Sequence, residues 1–214
     1  MSVEVVVAAR GGPDAKSRLA GRLDAARREA LVHAMLEDVL AALRRCEGVH
    51  RTYVTTPTPA LARLAAANGA IVVLEHGPDG LNGAFDRARR RIAAADPEAT
   101  ILMLPGDLPR LQPEDIAACL SAAGPDRLVL APASADGGTG GLAVRAGASL
   151  PLAFGAGSCG KHVAAARSLG LEVKIVRTPG LSFDIDRPAD LDAFVALGGG
   201  ANTRDLLGGW RTAA

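Results

Sequence analysis

Residues 101–109 read Ile101-Leu102-Met103-Leu104-Pro105-Gly106-Asp107-Leu108-Pro109. Four consecutive large apolar side chains, with no polar residue alternating among them, suit a strand buried on both faces of a parallel sheet. The run stops at Pro105-Gly106, and a carboxylate follows at once. Ligands of open α/β sheets collect beyond the carboxyl ends of the strands. Packing explains an aspartate there poorly, and binding of a hard cation through oxygen explains it well.

Outward from this strand the pattern repeats. Val3 to Ala9 is a second, β-branched apolar run. Asp24 is placed as an N-cap, and Leu31, Met35, Val39 and Leu43 then recur at helical spacing until Gly48. A strand near Tyr53, a helix over 60–68 ended by Gly69, a strand Ile71–Leu74 and a helix near Asn82–Ala94 lead back to Ile101. Beyond Asp107, Pro113 opens a helix with Glu114 and Asp115 in its first turn. The alternation predicts an α/β fold, a Rossmann-like three-layer sandwich with a mostly parallel central sheet. The second half is less regular: strands over 128–131 and 142–145, a loop over 137–141, a helix over 160–169, strands over 173–176 and 181–185, and a helix over 188–197. One domain is expected over residues 1–197, with 198–214 as a loosely packed tail.

Composition narrows the function. The 214 residues carry 24 Lys and Arg against 23 Asp and Glu, a net charge of +1. That leaves no broad field for nucleic acid or an anionic membrane, although a few local cations still suffice for a small anion. Cys46, Cys119 and Cys159 are odd in number and form no CxxC pair, so neither a disulfide framework nor a zinc site is indicated. No apolar run approaches the roughly 18 residues of a membrane span, and a cytoplasmic location is expected.

Several polar motifs fall at strand ends. Lys16 and Arg18 bracket a hydroxyl in a glycine-containing loop; they read either as a grip on a triphosphate or as two solvated cations. In Phe183-Asp184-Ile185-Asp186-Arg187-Pro188, two carboxylates at alternate positions of an extended segment point the same way. With Asp107 they would make a Mg²⁺ site, or Asp186 is the N-cap of the helix near Pro188. The loop Asp136-Gly137-Gly138-Thr139-Gly140-Gly141 offers a hydroxyl and glycines that permit close backbone approach. Gly157-Ser158 puts a hydroxyl and amides at a helix start; His162 beyond it reads as a helix-surface residue rather than a catalyst. Asn82 is either an N-cap or a base or ribose contact.

Taken in order, these motifs resemble the CofC/FbiD family, the 2-phospho-L-lactate or phosphoenolpyruvate guanylyltransferases of deazaflavin coenzyme F-420 biosynthesis. The resemblance runs from Val3 to about Leu197. It is carried by Ala15-Lys16-Ser17-Arg18-Leu19-Ala20, Leu81-Asn82, Gly106-Asp107-Leu108-Pro109, Gly138-Thr139-Gly140, Phe154-Gly155 with Ser158 and His162, and Asp184-Ile185-Asp186-Arg187-Pro188-Ala189-Asp190-Leu191. It implies a GT-A-like fold that binds GTP and Mg²⁺, couples GMP to a three-carbon phospho-acid (2-phospholactate, phosphoenolpyruvate or 3-phosphoglycerate) and releases pyrophosphate, with a homodimer left open. Asp107 and Asp184 match the metal ligands, with Asp186 as a third. Lys16 and Arg18 match the basic loop near the triphosphate, and Arg10, Asn82 and Gly106 line the nucleotide side. Thr139, Gly140, Gly157 and Ser158 match the part that holds the acceptor. The family usually shows GTGTN where this chain has Gly138-Thr139-Gly140-Gly141-Leu142, so a hydroxyl and an amide are expected to be missing beside the acceptor. Two rival readings are a molybdopterin- or sugar-phosphate-type nucleotidyltransferase and a non-catalytic nucleotide-binding protein. Against the first, the glycine-rich LAGGxSxRMG signature is absent from Val7 to Arg18.

Overall fold

Seven strands form one sheet: β1 (Val3–Ala8), β2 (Arg51–Thr56), β3 (Ile71–Leu74), β4 (Thr100–Pro105), β5 (Arg127–Pro132), β6 (Thr139–Arg145) and β7 (Glu172–Ile175). The computed structural model describes residues 2–75, 80–134 and 137–212. The strand order is β3-β2-β1-β4-β6-β5-β7. Every pairing is parallel except those of β6, which runs antiparallel to both β4 and β5. The two apolar runs singled out from the sequence lie side by side, Val5 opposite Leu102 and Val7 opposite Leu104.

Because successive strand side chains face opposite ways, each of these runs feeds two cores. Val5, Val7, Leu102 and Leu104 pack under α1 (Ala25–Arg45), α2 (Pro59–Ala67), α4 (Pro113–Ala122) and α7 (Pro188–Leu197). Val6, Ile101 and Met103 pack under α3 (Gly80–Ala95) and α5 (Ser158–Ser168). The three-layer expectation therefore holds. The chain leaves β1 toward β2 and β3, then recrosses through α3 to place β4 on the other flank of β1. Such a reversal opens a crevice between the carboxyl ends of the two strands.

The sequence reading needs three corrections. Residues 181–185 are no strand: Pro179–Ser182 form the short helix α6, and an extended segment follows. Pro179 suits the first helical position, and Gly180 is pinned by its N–H to Asp115 Oδ1 at 3.4 Å. Thr139–Gly141 do not lie in a loop but begin β6, paired with Pro132 and Ala131; Asp136 lies outside the described residues. The stretch after 198 is not loose. Ala201–Thr212 form α8, packed on α1, with Thr203 fully buried and Leu207 nearly so. Asp38 of α1 holds its start, Oδ1 accepting from Asn202 N and Oδ2 from Thr203 N, each at 2.9 Å.

Candidate active site

Lys16 follows the end of β1 and caps a single 3-10 turn, Ser17–Leu19, in the left-handed conformation at φ 51°. It is the one non-glycine residue with positive φ among the described residues. That backbone costs on the order of 1–2 kcal/mol for an L-residue, and such outliers concentrate at functional sites. It turns the side chain inward: the side chain is 9% exposed, and its ammonium donates to Asp107 Oδ2 at 2.6 Å, with Asp186 Oδ1 3.9 Å away. Burial alone would lower its pKa, but Asp107, Asp184 and Asp186 together raise it, so the ammonium is charged.

The carboxylates share that charge unevenly. Asp186 is taken by Arg18, whose side chain is two-thirds exposed. It is not an N-cap; the start of α7 is held by Asp190 Oδ2, which accepts from Asp186 N at 3.0 Å and Arg187 N at 2.6 Å. Asp184 is pushed up to about 6, first by burial, then by the neighbouring Asp107, with Lys16 only partly offsetting them. The cluster therefore has more negative charge than Lys16 can neutralise. Hard oxygen donors with negative charge to spare suit Mg²⁺, and Asp107 and Asp184 fit it better than Asp186, because both line one cleft and Asp186 does not. Among the described residues no three Asp, Glu, His or Cys form a closed ligand set.

Asp107 borders two recesses. One, of about 160 Å³, lies at the β1/β4 crevice and is lined by Ala8, Arg10, Lys16, Leu81, Gly106 and Asp107. The other, of about 180 Å³, is lined by Asp107, Asp184, Thr139, Gly138, Gly140, Phe154, Gly155 and Leu181. A hollow of about 320 Å³ around Arg44, His50 and Arg51 lies at the amino ends of the strands and holds none of these groups.

The remaining sequence candidates take varied places. Arg10 donates to Glu75 Oε2 at 2.5 Å, so its charge is already partnered. Asn82 is spent on backbone: Oδ1 accepts from Phe154 N at 2.7 Å and Nδ2 donates to Phe154 O at 3.2 Å. It fastens α3 to the loop that walls the cleft rather than offering itself to a base or ribose. Gly106 brings the ends of β4 and β1 together, since a Cβ there would stand 2.9 Å from that of Ala9. Gly140 is required by packing, because a Cβ would meet the Leu181 carbonyl oxygen at 1.7 Å. Gly157 caps α5 at φ 66° outside the cleft lining, and Ser158 is buried behind Thr139.

Gly141 faces Leu104, Leu181 and Ala131, and Leu142 lies in the core under α3 and α5. The departure from the family pattern thus falls on apolar neighbours and removes no partner from the cleft. Sequence reasoning missed His162 as a site group: it is fully buried and bonded to Thr139. Its spacing of four from Ser158, one helical turn, was the available signal. Leu181, an apolar cleft wall, carried no motif of its own, and Phe154, the other, stood in a motif without being singled out as part of the site.

Residues 3–212 match the family model described as guanylyl transferase CofC-like. The chain belongs to this CofC-like family. It is a nucleotidyltransferase, and its relatives agree. The CofC-like chain is 49% identical over 189 residues to 3-phospho-D-glycerate guanylyltransferase of Phenylobacterium zucineum, covering 87% of each. It is 40% identical over 200 residues to phosphoenolpyruvate guanylyltransferase of Rubrobacter xylanophilus, covering 93% of this chain and 96% of that one. A crystal structure of a nucleotide-diphospho-sugar transferase from Desulfovibrio desulfuricans superposes with a TM-score of 0.80 at 19% identity, covering 97% and 94%. At that identity the likeness speaks to the fold, here the GT-A-like sandwich of this CofC-like protein. No helix among its described residues is long and apolar enough to cross a membrane.

Proposed function

We propose that this protein transfers GMP from GTP to the phosphate of a three-carbon phospho-acid, with Mg²⁺ and release of pyrophosphate, as a step in deazaflavin coenzyme F-420 biosynthesis. The observation that carries this reading is the place of Asp107. It stands between a recess at the β1/β4 crevice and a small cleft ending at Thr139, as a residue acting between two substrates must. The cleft, at about 180 Å³, is below the roughly 300–1,000 Å³ of pockets for drug-sized ligands, which suits a phospho-acid better than a sugar phosphate. The 49% identical relative named for 3-phospho-D-glycerate favours that acceptor over phosphoenolpyruvate and 2-phospholactate.

The acceptor phosphate is anionic and already nucleophilic, so the protein's task is orientation and neutralisation rather than proton removal. Mg²⁺ held by Asp107 and Asp184 would supply positive charge to phosphate oxygens there. Lys16 is fixed by its backbone and by Asp107, so its charge is in place before substrate arrives. Arg18, long and two-thirds exposed, would exchange its surface ion pair with Asp186 for the departing pyrophosphate, at little cost. Leu81, Leu108, Phe154 and Leu181 wall the cleft with apolar surface, which excludes the water that would otherwise compete as acceptor.

The test is pyrophosphate release with each of the four NTPs against 3-phosphoglycerate, phosphoenolpyruvate, 2-phospholactate and a sugar phosphate, with and without Mg²⁺, following the product by mass. Turnover is expected with GTP, Mg²⁺ and at least one phospho-acid. Turnover with a sugar phosphate alone would overturn the acceptor class.

A further inference from the structure

Thr139 lines the cleft, and its Oγ1 has two buried neighbours, Ser158 Oγ at 2.8 Å and His162 Nδ1 at 3.1 Å. The positions of the protons follow from the surroundings. Ala153 N–H reaches His162 Nε2 at 2.9 Å. A main-chain amide only donates, so Nε2 bears the lone pair and the neutral ring carries its proton on Nδ1. Burial, and then the Lys161 charge, push the imidazole down to about 4 and keep it neutral. Nδ1–H therefore donates to Thr139 Oγ1.

Ser158 opens α5, where the nearby unpaired main-chain groups are N–H donors. Its hydroxyl is fully buried, and Thr139 Oγ1 is its one acceptor among the described residues. An unpaired buried donor costs about 1–3 kcal/mol, so Ser158 donates as well. Both lone pairs of Thr139 Oγ1 are then filled, and its own proton has to point elsewhere. The cleft that Thr139 lines is the open direction.

We propose that His162 and Ser158 are positioning residues that hold the Thr139 hydroxyl as a hydrogen-bond donor aimed into the cleft, where it meets an anionic oxygen of the acceptor. This rests on the reading that the cleft takes the acceptor, and deepens it. A freely rotating hydroxyl offers a lone pair as readily as a proton. This one is committed to donating, which favours a carboxylate or phosphate oxygen and turns away a ligand that presents a donor.

Two measurements test it. The first is the tautomer of His162 by nitrogen NMR of the wild-type protein without substrate near neutral pH. A protonated Nδ1 with a bare Nε2 is expected, and an Nε2–H tautomer or an imidazolium overturns the proposal whatever the activity. The second is kinetics with GTP and the preferred phospho-acid. Thr139→Val should raise the acceptor KM by about tenfold or more and leave the GTP KM alone, while Thr139→Ser restores the wild-type value. His162→Phe should follow Thr139→Val in this split. Equal rises in both KM values, or none, would reduce His162 to a packing role and overturn the idea. Should His162→Phe fail to fold, Ser158→Ala replaces it, with a smaller acceptor-specific rise expected and its absence counting against the proposal. If the wild type accepts no phospho-acid, the functional reading fails, and the tautomer alone decides the proton positions.

Discussion

At the residue scale, Asp107 and Asp184 repel one another and lean on a single lysine. Replacing either with the nearly isosteric Asn should leave the fold intact and lower kcat by about 100-fold or more. The double variant should lose little beyond that, because two residues serving one ion act as a unit; independent, multiplying losses in steady-state kinetics would assign them separate tasks. A readout free of activity is thermal unfolding without substrate. Mg²⁺ should raise the wild-type midpoint by binding the native state alone, and the increment should vanish in Asp107→Asn/Asp184→Asn. His162 gives a pH prediction. Its folded value of about 4 lies below the 6.5 of the free side chain, so the unfolded state binds more protons between the two. Stability is full above about pH 6.5 and falls by about 3 kcal/mol as pH drops toward 4. Urea denaturation at pH 7, 5.5 and 4 should show this slope in the wild type. The same slope in His162→Phe would assign the proton uptake to another group.

At the element scale, the start of β6 and the short helix α6 hold each other in place. Gly140→Ala would drive a methyl group into the Leu181 carbonyl, and overpacking of this kind costs typically about 1–3 kcal/mol. Because Leu181 leads directly into Asp184, activity should fall further than stability, which paired denaturation and turnover measurements would reveal. This contact also marks the limit of what the sequence discloses. The glycine cluster signalled close approach correctly, but not whether ligand or backbone does the approaching. Strands β1 and β4, the Asp24 cap and the helices opened by Pro113 and Pro188 were legible because their signals are local. Helix α8 was not. Its glycines at 198–200 suggested looseness, and the carboxylate that anchors it, Asp38, sits 164 residues earlier in α1, where by sequence it resembles any surface charge. His162 was hidden for the same reason: helical spacing fixes which residues share a face, but not what that face meets.

At the scale of the whole molecule, α8 covers α1 and thereby the core beneath β1. Deleting residues 199–214 should lower the melting midpoint and increase exposed apolar surface, detected by dye binding. Asp38→Ala, which leaves the helix in the chain but unpins its start, should cost about 2 kcal/mol. An unchanged midpoint in both would make α8 an ornament. The charged cluster at the cleft spans nearly as much of the chain. Lys16 meets Asp107, 91 residues on, and Arg18 meets Asp186, 168 residues on. On the ribosome, the loop bearing Lys16 emerges well before its carboxylates, first Asp107 and much later Asp184 and Asp186. A nascent or truncated chain that stops short of Asp184 therefore carries the basic loop with an incomplete carboxylate cluster, and the cluster assembles only after both β4 and the segment following α6 have been made.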